Sequence, residues 1–579
     1  MSYRRKKLLA LFFAMALSMT AVAGCTGIKS STGNVVSSET ETNAEETSAQ
    51  SEAGTFSSAD MFTERDLAGT YEESGAVYVT LSDDGITGET AGVAINGQTM
   101  TITAEGTYIF SGTLSEGQIV VDADNAKVQI VFDNVDITCA SSAAVYVKSA
   151  EKVFVTLAEG SQNTLRNTDE YVAIDDNNID AVIFAKSDLT LNGTGSLTIV
   201  SAEGHGIVSK DDLKIIGGTY DITAAGHALS GKDSVRIADG TFILTAEKDG
   251  IHAENADDEE KGYIYIADGD FAITSDGDGM DASNIVQIED GTFDITAGGG
   301  AANSLKTHES DMPGGGMSQN IERPDGENMP QDTTTDESGT STKGIKAGGG
   351  MYLNGGTYQI DSADDSIHSN ANITIADGTY TLATGDDGVH ADDALIVNGG
   401  TITVTESYEG LEGLAVTIND GTIDITASDD GINTAGEKME LNGGYIHILA
   451  GGDGVDSNGD LTINGGEIYI DGPSDNGNSA IDYGDRSSAY VNGGTLVAIG
   501  SSGMAEVMSD SSKQKVLMVK LGEQMEAGNV VLTDSEGNVI VSYTALKTYD
   551  CVIISTAEVE SGATYTLTTS GTTTEVTAE

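Results

Sequence analysis

A glycine-ended turn that recurs about every 22 residues constrains this chain more than any other feature. The turns close at Gly218, Gly240, Gly269, Gly291, Gly356, Gly378, Gly400, Gly421, Gly444, Gly466 and Gly494, giving steps of 22, 29, 22, 65, 22, 22, 21, 23, 22 and 28 residues. Each turn is Asp-Gly or Gly-Gly and is followed by an alternating run such as GTFDIT or GTIDIT, the period-two pattern of a strand. Half a repeat later stands an apolar column: Ile207, Leu229, Ile251, Met280, Ile345, Ile367, Val389, Leu411, Ile432, Val455 and Ile481. A unit with two or three short strands cannot close a core alone, so neighbouring units must stack in parallel and share that column. The leucine-rich consensus is missing, and the period excludes the nine-residue calcium repeat. The expected fold class is all-β, a parallel β-helix with about 22-residue coils whose regular part rises roughly 50 Å at ~4.8 Å per coil.

Breaks in the period mark the expected boundaries. The 65-residue step holds one coil plus an excursion over 301–343, where three of the four prolines lie (Pro313, Pro324 and Pro330), and this reads as a disordered insert. Residues 191–505 form the regular β-helix around it. Upstream, 59–190 carries strand-like runs with looser spacing, read as the first coils and their cap. Downstream, 506–579 reads as a small C-terminal β module with a hairpin-like turn at Glu536-Gly537-Asn538, closing an end that would otherwise expose a strand edge.

The N-terminus places Arg4, Arg5, Lys6 and Lys7 before an apolar run from Leu8 to Val22, the layout of an export signal over 1–24. Val22-Ala23-Gly24-Cys25 resembles the bacterial lipobox, which implies lipidation of Cys25 and a membrane attachment through that N-terminal lipid alone. Residues 25–58 are rich in Ser, Thr and Glu with few large apolar side chains, so they read as a disordered tether. The expected location is extracytoplasmic, at the cell surface. Cys139 and Cys551 are too few and too distant for a disulfide framework or a cysteine metal cluster, and read as apolar fillers.

With 92 acidic and 27 basic residues the formal charge is −65, which repels phosphate backbones and excludes nucleic acid as a partner. The acids are ordered. Just before the apolar column runs a ladder of His205, His227, Asp249, Asp278, Asp365, Asp387, Glu409, Asp430 and Asp453. Just after it runs a second, of His252, Asp281, Lys346, His368, His390, Glu412, Asn433, Asp456 and Asp482. Both flank an inward residue and so point outward, carboxylate above carboxylate. Two unit charges ~5 Å apart repel by roughly 0.8 kcal/mol even in bulk water. Such a column invites calcium, which takes oxygen ligands. The candidate ligands are Asp249, Asp278, Asp281, Asp364, Asp365, Asp386, Asp387, Asp429, Asp430, Asp453 and Asp456. For the turn acids Asp239, Asp268, Asp290, Asp377 and Asp420, capping of their own turns is the better reading. The histidines lack zinc-type spacing and read as surface members of the ladder.

The order of segments from FTERDLAGTY through GQIVVDADNAKVQIVFDNVDIT, VFVTLAEGSQNTL, GIVSKDDLKIIGGTYDIT and KGYIYIADG to SYEGLEG and SDDGIN resembles the carbohydrate-binding parallel β-helix proteins of clostridia, over most of the chain. The resemblance implies a right-handed β-helix, bound calcium, and adhesion without cleavage to plant cell-wall polysaccharide such as cellulose and polygalacturonate. The Asp-Asp-Gly-x-Asp element is also similar to the calcium motif of a β-helical pectate lyase family, most nearly at Asp278–Asp281, Asp429–Asn433 and Asp453–Asp456. His390 and Asn433 stand where that motif ends in Asp.

Three functions fit these residues. The leading one is a non-catalytic surface protein that binds extracellular polysaccharide through a calcium-loaded acidic ladder, with no catalytic residue. A calcium-dependent lyase would need a basic residue beside the ion; Lys346 is the first candidate and Lys248 the second. A structural adhesin rod is the third. The chain has no Trp for sugar stacking, which leaves Tyr78, Tyr171, Tyr408 and Tyr483 as candidates. A Cys25→Ser variant is expected to leave the membrane fraction; detergent-phase partition equal to wild type would show that Cys25 is not the anchor.

Overall fold

The computed structural model describes residues 55–88, 91–306, 341–436, 438–484 and 486–578, and in them the chain is almost wholly β. The leader, Cys25 and the tether to residue 54 lie outside the described residues, as do 307–340 of the insert.

Local alternation sets the strands. In Thr219–Ala224, Thr241–Ala246 and Thr422–Ala427 exposed and buried positions alternate along the whole strand, so one face is committed to a core and the register is fixed. A repeat consists of one such long strand followed by two short ones, as in Thr422–Ala427, Ile432–Thr434 and Met439–Leu441. Each pairs in parallel with its counterpart one repeat on: Thr422 with Tyr445, Ile432 with Val455, and Met439 with Leu461. Three columns of parallel strands result. The apolar column aligned by sequence pairs directly, Ile207 with Leu229, Leu229 with Ile251, and onward to Val455 with Ile481.

In-register pairing seats each side chain beside its equivalent. Inside the long-strand column, Tyr220, Phe242, Phe271, Phe293, Tyr358 and Tyr380 stack with ring centroids 4.6 to 5.3 Å apart and planes within 10°. The hydroxyls of Tyr220, Tyr358 and Tyr380 donate at 2.8–2.9 Å to the carbonyls of Gly217, Gly355 and Asp377, so these buried phenols strand no donor. The turns behave as the sequence indicates: the Oδ1 atoms of Asp239, Asp268, Asp290, Asp377 and Asp420 each accept from the following glycine N–H. Cys139 and Cys551 are buried free thiols, and burial pushes both up to about 11.

Both ends are covered. Tyr549–Ser555 pairs antiparallel with the last long strand, Thr495–Gly500, whose Val497 and Ile499 are buried in a second core with Leu517, Val530, Leu532 and Val552. A four-stranded antiparallel sheet completes this C-terminal module. At the other end Val93–Asn96 and Thr99–Ile102 form an antiparallel hairpin, and Val77–Leu81 pairs in parallel with Gly106–Leu114.

Two boundaries differ from the sequence reading. The tether, expected to run to 58, has already docked at Phe56: its ring lies 4.3 Å from Tyr263, and its backbone exchanges hydrogen bonds with the Gln287 side chain. The expected insert at 301–343 is narrower, because 301–306 and 341–343 are built into the body. Ala301–Asn303 makes a 3-10 turn, and Lys306 and Lys343 reach into the acidic ladder. Their pairing with carboxylates outweighs the loop-like composition around them.

After Phe56, the short helices Ser58–Met61 and Glu64–Leu67 lead to Asp66, a fully buried carboxylate in a capping box with Thr63. Asp66 lies 2.6 Å from Lys152 Nζ and accepts from Thr190 Oγ1 at 2.8 Å. Burial alone would raise its pKa, yet the bonds from Lys152, Thr63 and Thr190 bring it down to about 2. The group therefore contributes stability above the ordinary carboxylate range, lost as pH falls toward 2. Removing one partner of a buried pair costs about 3–5 kcal/mol, so Asp66→Ala is expected to free residues 55–67 while the repeats stay folded. Hydrogen exchange measures this; wild-type protection of 55–67 in the variant would show that the clasp is held elsewhere.

Candidate metal centre

One repeated hydrogen bond builds the first ladder. In six members the side chain accepts from the backbone N–H of the member one rung on, and Asp278 and Asp453 accept in the same way from Lys343 and Ser479. His205 Nδ1 takes the His227 N–H at 2.8 Å, His227 Nδ1 that of Asp249 at 3.2 Å, and Asp249 Oδ1 that of Asp278 at 2.9 Å. Further along, Asp365 binds Asp387, Asp387 binds Glu409, and Asp430 binds Asp453 in the same way, at 3.1, 3.2 and 2.6 Å. The position needs an acceptor, and both an unprotonated imidazole and a carboxylate qualify. Burial holds His205 and His227 below their ordinary values, His205 down to about 3. These histidines are thus parts of the bend, not the plain surface members that the sequence suggested.

On the upper rungs Asp249, Asp278, Asp365 and Asp387 engage a backbone N–H with one oxygen and a basic side chain with the other. Asp249 Oδ2 lies 3.0 Å from His252 Nδ1, and Asp281 Oδ2 lies 3.4 Å from the same atom. Burial opposes a charge on His252, but these two acids lift it to about 10. Lys346 Nζ sits 3.5 Å from Asp278 and 3.3 Å from Asp281. Lys343 Nζ is 2.8 Å from Asp364 and 2.7 Å from Asp365, and Lys306 joins Asp364 and Asp386. His390 Nδ1 lies 3.3 Å from Asp387 and 3.5 Å from Glu412. Protein cations therefore stand beside Asp249, Asp278, Asp281, Asp364, Asp365, Asp386 and Asp387, where the sequence reading put calcium. Lys306 and Lys343 were hidden from that reading by their place at the ends of the insert. The rings of His205, His227 and His252 stack 4.8 and 4.1 Å apart with planes 4° and 10° from parallel, and Nδ1 of His227 and of His252 both lie 3.0 Å from Asp249 Oδ2, so His227, Asp249 and His252 bring their polar atoms to one point.

The lower rungs are different. Asp430, Asp453 and Asp456 each offer an oxygen within 4.8 Å of the other two. Asp429 and Asp482 add their charges nearby, and no lysine, arginine or histidine is paired with the three among the described residues. Burial, then neighbouring carboxylates, push Asp430 up to about 8, Asp453 to about 7 and Asp456 to about 6. Beside them, a Cβ on Gly452 would fall 2.2 Å from Asp429 Oδ1 and 2.4 Å from Asp430 Oδ1; glycine leaves that space to the carboxylates. Oxygens about one calcium ion at ~2.4 Å are at most ~4.8 Å apart, so this donor set fits the ion.

The four tyrosines singled out by sequence lie apart, Tyr78 on the first strand and Tyr171, Tyr408 and Tyr483 on separate rungs. A ring cluster forms elsewhere, from Tyr445, Tyr469 and Tyr543. The sequence signal was available: Tyr445 stands where preceding long strands carry Thr.

Fold and site define a repeat-built β scaffold that displays columns of like groups on its outside. The profile of the carbohydrate-binding domain-containing proteins matches residues 96–388 and 386–536, and the chain belongs to that family. A carbohydrate-binding domain-containing protein of Acetivibrio thermocellus is 40% identical over 134 residues, 23% of this chain and 47% of the relative, so the chain spans about half the length of that curated relative. Among solved structures, a gadolinium derivative of the polysaccharide lyase-like protein from C. thermocellum is 36% identical, covering 39% of this chain and 92% of that one with a TM-score of 0.38.

The raised carboxyl groups give a testable sign. The native state holds protons on Asp430, Asp453 and Asp456 that the unfolded chain releases near pH 4, so without a metal ion stability falls as pH rises from about 4 through 8. Asp430→Asn with Asp453→Asn keeps the Oδ1 acceptors and removes the charges. Melting curves in chelator are expected to show a flatter pH dependence for this variant, with a higher midpoint at pH 8; an unchanged slope would mean the cluster does not repel.

Proposed function

We infer that this protein is a non-catalytic carbohydrate-binding protein, held outside the cell by lipid on Cys25, that adheres to plant cell-wall polysaccharide. Its body is read as a right-handed parallel β-helix of about 22-residue coils with calcium in the lower acidic cluster. Family membership supports carbohydrate as the ligand class. The observation that carries the calcium reading is the contrast along one ladder: the upper rungs pair their acids with Lys306, Lys343, Lys346 and the histidines, while Asp430, Asp453 and Asp456 face one another. Asp430 and Asp453 would each hold the ion through the oxygen left over from the backbone bond, and Asp456 through either of its two. Bound calcium would supply a positive charge able to bridge to uronate carboxylates, which the −65 surface otherwise repels.

The lyase reading has less support. A base must be able to give up its proton, and burial would help Lys346 do so, but Asp278 and Asp281 outweigh it and hold the ammonium above its ordinary range. Lys346 acts as a counter-charge.

Incubation of the purified protein with polygalacturonate and calcium, following retention and unsaturated-product absorbance together, tests the reading. Retention without absorbance is expected, as is loss of retention with chelator or in the Asp430→Asn, Asp453→Asn variant. Growing absorbance would establish a lyase, and chelator-resistant retention would remove calcium from the binding step. Saturation about 100-fold above Kd should also stabilise the native state by roughly 2.7 kcal/mol.

A further inference from the structure

At the other end of the long strands, well away from the acidic ladder, a shallow, wide-open trough of about 620 Å³ crosses four rungs over Gly421, Gly444, Gly466 and Gly494. The bare floor has a structural cause: a Cβ on Gly444, Gly466 or Gly494 would strike the carbonyl one rung below at 2.6 to 2.8 Å. The wall has no such cause. At the first position of the long strand, Thr357 pairs with Thr379, Thr379 with Thr401, and Thr401 with Thr422, but Thr422 pairs with Tyr445. Tyr445 is 42% exposed, and nothing in the stacking of strands requires a ring there. Behind it stand Tyr469, its centroid 5.7 Å away, and Tyr543 of the C-terminal module, stacked on Tyr469 at 5.2 Å. The aromatic step thus forms where the module meets the repeats.

Two residues before each floor glycine runs an exposed amide ladder. Asn419, Asn442, Asn464 and Asn492 each donate through Nδ2 to the preceding Oδ1, from Asn398 onward, at 2.8 to 2.9 Å. Each such bond uses one of two N–H groups and one of two carbonyl lone pairs. The unused halves repeat along the rungs every ~4.8 Å, beside the trough. Its only charged lining residues are Asp420 and Glu467. Carboxylates accept from hydroxyls and repel anions, so charge complementarity selects a neutral polyol.

We propose that this trough is a calcium-independent binding site for a linear neutral polysaccharide, with Tyr445 stacking against a sugar face and the asparagine ladder meeting successive hydroxyls. A trough four rungs long suits a polymer better than a single sugar. The site is additional to the acidic cluster and rests on the carbohydrate-binding reading of the family.

Tyr445→Thr restores the residue of the preceding rungs and so preserves folding, while Tyr445→Phe keeps the ring. Calorimetric titration with cellohexaose and with mannohexaose, in chelator, is expected to show binding by wild type to at least one of them. Affinity should fall about tenfold or more in Tyr445→Thr and stay within about threefold in Tyr445→Phe. Equal affinity in Tyr445→Thr, or neutral-glycan binding that chelator removes, overturns the site. Wild-type binding to polygalacturonate alone overturns it while leaving the carbohydrate reading intact; binding to no glycan at all overturns both.

Discussion

In-register parallel pairing is the constraint on which everything else in this protein depends. Because a strand pairs with its own counterpart one repeat on, each side chain is forced beside a chemically equivalent one. The rule is blind to whether the neighbours agree. For rings it is favourable, and Tyr220 to Tyr380 form a continuous internal stack. For amides it is favourable as well, since an asparagine is both donor and acceptor. For carboxylates it is unfavourable, and the protein answers differently along its length.

The acidic column shows those answers in sequence. Its backbone-facing oxygens staple one bend to the next, so acceptors are needed there whatever their charge. On the upper rungs side chains offset part of the remaining charge, two of them delivered from the two ends of the insert, while burial and neighbouring acids still push Asp278, Asp386 and Glu412 up to about 7, 9 and 8. On the lower rungs nothing within the described chain balances it, and the carboxyl groups hold protons into the neutral range. A single geometric rule thereby yields one stretch where protein cations stand beside the acids and one where they do not.

Much of this was legible beforehand, for a physical reason. Periodicity is a property of the sequence, and a column such as Ile207 to Ile481 is visible as soon as the turns are aligned. The turn caps at Asp239 and Asp377 follow from local chain geometry. What was hidden depends on contacts between unlike segments. Lys306 and Lys343 flank a proline-bearing excursion, so composition removed them from the body that they complete. Phe56 looks like tether, and Asp66 like any residue of the first coils and their cap, until Tyr263 and Lys152 are brought to them by the fold. The cross-rung role of the ladder acceptors resembles a turn cap in sequence, because both use the same residue types.

The C-terminal module grips the last three long strands, with Val497 and Ile499 as its footing, Tyr543 and Leu546 bonded to Asp471, and Lys547 donating to the Ala450 carbonyl. At the other end the hairpin is local to the first rungs, while the clasp runs along the flank from Lys152 and Thr190 to Tyr263 and Gln287. Past Gln287 neither end senses how many storeys follow before the module. A repeat of about 22 residues copied or lost in that stretch would thus change the height of the molecule by ~4.8 Å and leave both lids seated. Stature thereby becomes a quantity that heredity can adjust one step at a time.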